Sequence, residues 1–206
     1  MRSLALKAAC QLGEYLQASD EEIEVYAYSA EIILVQTVQT SVYIAIAAAT
    51  GYLLPALLVM AGFSGFRFLA GGPHLNTFLR CLVFSGLTVA VLVAVSIPAW
   101  PEPVRYGAEA FMLLATLYVT YKWVPAGTEK KTVRDPALRR RQKIKTLVFI
   151  IAFSALLVLL EIKNQDLVTQ ALLAGVIGSA LFIFPWGYRT MLSCDTLLDH
   201  SRHPGP

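Results

Sequence analysis

Leu79-Arg80-Cys81-Leu82-Val83-Phe84-Ser85-Gly86-Leu87-Thr88-Val89-Ala90-Val91-Leu92-Val93-Ala94-Val95-Ser96-Ile97 is the stretch whose reading decides the fold. Arg80 is its one charge, and Pro98 stops it. As a helix rising about 1.5 Å per residue it covers roughly 28 Å, close to the hydrocarbon thickness of a bilayer. It has no polar face of the kind a soluble surface helix needs. A membrane span is the reading that fits.

Similar blocks lie on both sides. Upstream are Ile32 to Thr50, which Gly51 can end, and Tyr52 to Phe68, with Pro55 in its first turn. Downstream are Tyr106 to Trp123, Thr146 to Leu160 and Leu167 to Trp186. The composition agrees. Of 206 residues 56% are hydrophobic and 15% charged, where soluble domains carry about 25% charged residues. Mean hydropathy is +0.59. The expected fold is an all-α polytopic transmembrane bundle of about six spans, forming a single membrane domain over 1–206 and preceded by an N-terminal amphipathic helix.

The ends and connections complete that outline. In residues 1–17, Leu4, Ala8, Leu12, Tyr15 and Leu16 fall near one helical face, which suits a helix lying on the membrane or packed on the bundle. Lys7 breaks the apolar run that an export signal would need. Ser19-Asp20-Glu21-Glu22 reads as a capping box opening a new helix. Residues 1–30 are therefore cytoplasmic or interfacial helices, and 31–186 form the bundle. Within it lie a loop at 67–81 and a basic loop at 124–145. Residues 187–206 form a cytoplasmic tail, expected to be disordered.

Lysine and arginine set the orientation. Lys130, Lys131, Arg134, Arg139, Arg140, Arg141, Lys143 and Lys145 crowd the long loop, and Arg67, Arg80 and Arg189 share its side in a six-span chain. Arg105 and Lys163 are alone opposite. Both termini are expected in the cytoplasm of a bacterial cell, with the lipid bilayer as the surrounding partner. The basic loop lacks the interleaved aromatics of a nucleic-acid surface, so no nucleic acid is expected. Cys10, Cys81 and Cys194 are far apart and odd in number, which argues for free thiols rather than a disulfide framework. No metal site and no cofactor are expected.

Chemistry concentrates in Arg67-Phe68-Leu69-Ala70-Gly71-Gly72-Pro73-His74-Leu75-Asn76-Thr77-Phe78-Leu79-Arg80-Cys81. Gly71-Gly72-Pro73 breaks one helix and can start the next at Pro73, placing His74 in its first turn. A thiol becomes a nucleophile when a base takes its proton or a nearby cation stabilises the anion. His74 lies outside the tail, and Arg67 and Arg80 make the neighbourhood positive. Seven residues of continuous helix, however, would separate His74 from Cys81 by about 10.5 Å. The pair therefore requires His74 to stand on a loop and fold back, which Gly71 and Gly72 permit, or to come from a second protomer. The plainer reading makes Cys81 a small core residue and His74 an interfacial one.

The pattern Arg-x6-His-x6-Cys with Gly-Gly before the His resembles the accessory gene regulator B family of membrane peptidases. Trp123-Val124-Pro125-Ala126-Gly127-Thr128-Glu129-Lys130-Lys131 is similar to that family's aromatic-x-Pro-Ala motif with its following lysines. The Ser19–Glu22 cap leading into Tyr26 and Glu31 sits where the family has its pre-membrane helix. Pro73 departs from the family, in which an aromatic or small residue is common before the His. The resemblance implies a cysteine endopeptidase that removes the C-terminal part of a short amphipathic signalling propeptide through an acyl-thioester and promotes its cyclisation to a quorum-sensing peptide. It further implies Cys81 as nucleophile, His74 as base, Arg67 and Gly72 as support, and Lys130 and Lys131 along the peptide's path. A homodimer stays open. The alternatives are a non-catalytic membrane scaffold and a small transporter. A transporter would be expected to carry ionisable groups inside its spans, where Glu109 alone is a candidate.

Overall fold

The computed structural model is helical throughout its ordered elements and describes residues 2–72, 75, 77–126 and 135–200, with the backbone alone at 192 and 194–200. The helices are α1 (Arg2–Leu16), α2 (Asp20–Ala49), α3 (Leu53–Ala70), α4 (Phe78–Ser96), α5 (Glu102–Lys122), α6 (Pro136–Ile162), α7 (Asp166–Ile183) and α8 (Pro185–His200). Five of them, α2, α3, α4, α6 and α7, are long and apolar enough to cross a bilayer. The fourth apolar block of the sequence is α5. Its 21 residues are long enough, but Glu102, Arg105 and Glu109 lower its hydropathy.

Residues Met1–Gly51 and Tyr52–Pro206 form two compact units. In the first, α1 and α2 pair as a hairpin. The capping box opens α2: the Ser19 N–H donates to the Glu22 carboxylate at 2.8 Å, and the Glu22 N–H to the Ser19 hydroxyl at 3.4 Å. Hydroxyls within the apolar helix are satisfied locally, as where Thr37 donates to the Ile33 carbonyl at 2.8 Å. The face α1 buries is not the large apolar one. Ala5, Ala9 and Gly13 are buried at four-residue steps, while Leu4 and Tyr15 stay 64% and 86% exposed. Small side chains let the backbones approach, and Ile23 occupies the space a side chain on Gly13 would need. The bulky face of α1 is left outward, as a helix on a membrane surface requires.

In the second unit α7 is the centre, with twelve of its 18 residues buried. A helix apolar all round is a buried helix. Helices in lipid gain little from apolar burial alone, so close packing has to hold them. Gly62 of α3 and Gly175 of α7 supply it: a methyl on Gly62 would overlap the Leu172 carbonyl oxygen, and one on Gly175 the Val59 carbonyl oxygen. By contrast α4 buries only Val93 and Ser96. Its Leu79, Val83, Leu87, Val91 and Val95 are exposed at four-residue steps, a stripe suited to lipid. The fully buried Gln170 of α7 closes the end of α4. Its amide donates to the Pro98 and Ser96 carbonyls at 3.0 and 3.2 Å and accepts from the Trp100 N–H at 3.0 Å.

Three boundaries differ from the sequence reading. Helix α4 starts at Phe78, not Pro73, because Thr77 is extended at φ −118° and ψ 145°. The basic stretch is loop only in part: α6 begins at Pro136, capped by Asp135, whose carboxylate accepts from the Ala137 N–H at 2.9 Å. The Asp-Pro pair is a helix-start signal that the apolar-block reading passed over. Residues 187–200 are not a disordered tail. They continue α8, which opens at Pro185 after Phe184 turns extended.

Candidate active site

The C-terminal end of α3, the start of α4, the end of α5 and the start of α6 meet in the second unit, and a two-residue bridge joins them. Helix α3 stops where Gly71 takes φ 82°, its N–H donating to the Arg67 carbonyl at 2.8 Å. The Gly72 N–H then donates to the Ala126 carbonyl at 3.0 Å, and the Ala126 N–H to the Ala70 carbonyl at 2.8 Å. Gly71 and Ala126 so form an isolated parallel β-bridge. Any side chain on Gly71 would overlap the Ala126 carbonyl oxygen, and its positive φ favours glycine independently.

The aromatic-x-Pro-Ala stretch is anchored behind the bridge. Trp123 packs edge-on against Tyr118 with centroids 5.2 Å apart and against Phe184 at 5.4 Å. Val124 is fully buried, and the Val124–Pro125 peptide is cis. Helix α6 adds two ties: Gln142 Nε2 donates to the Leu69 carbonyl at 2.9 Å, and Lys143 Nζ to the Tyr121 carbonyl at 2.6 Å. The described parts of the two motif-bearing segments, Gly71-Gly72 and 123–126, are thus held together.

Cys81 stands in the first turn of α4, half-buried, its N–H donating to the Thr77 carbonyl at 3.0 Å. Its Sγ lies 3.9 Å from the Ser85 hydroxyl one turn on. Arg67, in the last turn of α3, folds its guanidinium over the Phe63 ring at 5.6 Å. A side chain on Gly72 would press to 3.1 Å from the guanidinium carbon. The same guanidinium interacts electrostatically with Cys81 and with Tyr188 of α8. Burial holds the Tyr188 phenol above the usual tyrosine range against the pull of Arg67, so it is neutral at physiological pH.

Of the residues singled out in the sequence, Arg67, Gly71, Gly72 and Cys81 come together. His74, Lys130 and Lys131 lie outside the described residues. Because Leu75 and Thr77 are not helical, no continuous helix leads back from Cys81, and the 10.5 Å rise of such a helix does not apply. Tyr188 escaped the sequence reading, since it is remote in the chain and no local pattern marks it. Cys10 and Cys81 are unpaired thiols. Among the described residues no group of His, Cys, Asp and Glu is arranged to hold a metal ion. A thiol and a phenol that both feel the field of one guanidinium are groups that can support a thiolate nucleophile or bind an anionic group.

These features define a helical membrane protein with a thiol in the first turn of α4, next to the loop that follows α3. The model of the accessory gene regulator B family matches residues 5–184, and the chain belongs to that family, which is associated with autoinducing-peptide processing. A protein of Halalkalibacterium halodurans with the provisional name AgrB-like protein is 24% identical over 192 residues, 92% of this chain and 89% of the relative. No solved structure matches the chain significantly.

Proposed function

We propose that this protein is a membrane cysteine endopeptidase that cuts the C-terminal part off a short signalling propeptide and promotes cyclisation of the remainder. One observation carries the reading. The bridge between Gly71-Gly72 and Ala126 ties the two motif-bearing segments together, next to an Arg67 guanidinium that interacts electrostatically with Cys81. A small core cysteine would need neither the bridge nor the cation.

In the proposed mechanism His74 accepts the Cys81 proton. The thiolate attacks a peptide carbonyl, and the C-terminal segment leaves with that proton on its new amine. The enzyme keeps an acyl-thioester. A Cys or Ser of the peptide then attacks the thioester, closing the ring and returning the thiol. A tethered nucleophile reaches effective molarities of about 10⁵–10⁸ M, enough to outrun water that the membrane border already limits. Arg67 stabilises the negative charge that passes through the site, and Gly72 leaves room for its guanidinium. Lys130 and Lys131 attract an acidic part of the propeptide.

The proposed setting is the bacterial cell membrane, with six crossings and both termini cytoplasmic. Counting α5 as a crossing is supported by Arg105, which is buried and paired with Glu161 and with Asp166 at 2.8 Å, so its charge is met inside the bundle.

Co-expression with a candidate propeptide, followed by mass spectrometry, tests the function. The unaltered chain should yield the released C-terminal fragment and a product lighter by one water than the linear remainder. Cys81→Ala should yield neither. Processing that persists in Cys81→Ala would leave a scaffold as the better reading.

A further inference from the structure

We infer that the first turns of α6 and the lipid-facing stripe that follows form a binding site for an anionic phospholipid, with headgroup and acyl chain held by the same helix. This inference does not rest on the peptidase reading.

Arg139, Arg140, Arg141, Lys143 and Lys145 put five cations into seven residues. Lys143 is turned inward, donating to the Tyr121 carbonyl at 2.6 Å. Arg139, Arg140, Arg141 and Lys145 are exposed. Asp135, the neighbouring acid, is engaged as the helix cap. The buried face of α6 runs through Thr146, Ile150, Phe153 and Leu157. Its opposite face exposes Ile144, Val148 and Ile151 at 51%, 60% and 69%, and Arg140 lies on that row, four residues before Ile144. Arg141 and Lys145 lead into Val148 along the adjacent row. A charge-to-apolar boundary therefore falls within one helical turn, on one exposed strip.

That strip has the profile of a phospholipid. An acyl chain can lie along Ile144, Val148 and Ile151 while the phosphodiester meets Arg140, Arg141 and Lys145 about a turn above. The depth fits as well. Lys122, at the end of the adjacent α5, sits over the Tyr118 and Trp123 rings at 5.5 and 5.6 Å, and tyrosine and tryptophan concentrate at headgroup level. An acidic peptide would match the cations but has no need of an apolar strip running into the membrane beneath them. A zwitterionic lipid would match the strip but gain less from the cations, each worth roughly fivefold in binding near an anionic surface.

The full chain, purified in mixed micelles, should be titrated with dansyl-labelled phosphatidylglycerol and, separately, dansyl-labelled phosphatidylcholine, reading energy transfer from tryptophan. The expected result is a preference of roughly tenfold or more for the anionic lipid at low salt, largely lost in 0.5 M salt. Arg140→Gln, Arg141→Gln and Lys145→Gln combined should bring the preference close to one, whereas Arg140→Lys with Arg141→Lys should retain most of it. Glycerol phosphate at equal concentration should not displace the lipid, because it lacks the tail. The inference is overturned by equal binding of the two lipids to the unaltered chain. It is equally overturned if the preference is unchanged in the glutamine variant, disappears only when Lys130 and Lys131 are replaced, or yields to glycerol phosphate. The salt titration uses the unaltered chain and decides the question if the glutamine variant does not assemble.

Discussion

At the scale of single residues, the thiol and the glycines make separable predictions. Replacing Cys81 by Ala should remove processing while leaving the chain in the membrane, and Cys10→Ala, on exposed α1, should process normally. Arg67→Gln should slow alkylation of Cys81 by iodoacetamide, since a nearby cation favours thiol reactivity, and should lower processing. An unchanged alkylation rate would detach Arg67 from the site. Gly71→Ala meets two obstacles at once, a positive φ and the Ala126 carbonyl, with strain of about 1–3 kcal/mol. It should expose the 124–126 segment to proteolysis and reduce processing, whereas Gly107→Ala, which has open space around it, should do neither. Arg67, Gly71, Gly72 and Cys81 were legible because helix breakers, a cation and a thiol stand close together in the chain. The pairing of Ala126 with Gly71 and the part played by Tyr188 were not: a backbone bridge leaves no mark on side-chain chemistry, and α8 contributes from more than a hundred residues away.

At the scale of elements, α5 carries the sharpest test. Its Arg105 is buried against Glu161, with Asp166 alongside. Removing one partner of a buried ion pair costs about 3–5 kcal/mol, because the other charge stays behind unpaired. Arg105→Gln should therefore lower the unfolding midpoint in detergent clearly. Combining it with Glu161→Gln should restore part of the loss, since the buried carboxylate is then gone and Asp166, left behind, is half-exposed to solvent. Additive losses would mean the pair is not a functional unit of the fold. The sequence placed Arg105 and Lys163 on one side as topology markers but could not foresee that Arg105 is neutralised by α6 and α7. Helix α1 teaches the same lesson. Its large apolar residues drew the eye, yet Ala5, Ala9 and Gly13 make the contact with α2, because close backbone approach depends on what a side chain lacks.

At the scale of the whole molecule, the expectation is six crossings with the basic end inside. A reporter fused after Arg141 should report the cytoplasm and one fused at Glu102 the exterior. The reverse pattern would separate the candidate site from any cytoplasmic precursor. Replacing Lys130 and Lys131 together by Glu should weaken propeptide binding more than the chemical step, with the effect shrinking at high salt as exposed charges are screened over about 8–10 Å. Normal insertion with unchanged processing would remove the guiding role of these lysines.

What the sequence by itself determined was the class of fold and the neighbourhood of the candidate site. Apolar runs of bilayer length admit few structures, since a backbone in lipid must satisfy its own hydrogen bonds. Gly-Gly beside a thiol and an arginine is a local pattern as well. The tertiary structure alone decided which helix lies at the centre and which face of each helix is inside. It also joined the Gly71 loop to Ala126 and brought Tyr188 to the guanidinium of Arg67. Apolar helices in a membrane are nearly equivalent by composition. Their arrangement follows from where two backbones can touch, at Gly62 with Leu172 and Gly175 with Val59, and such contacts exist only once distant parts of the chain have met.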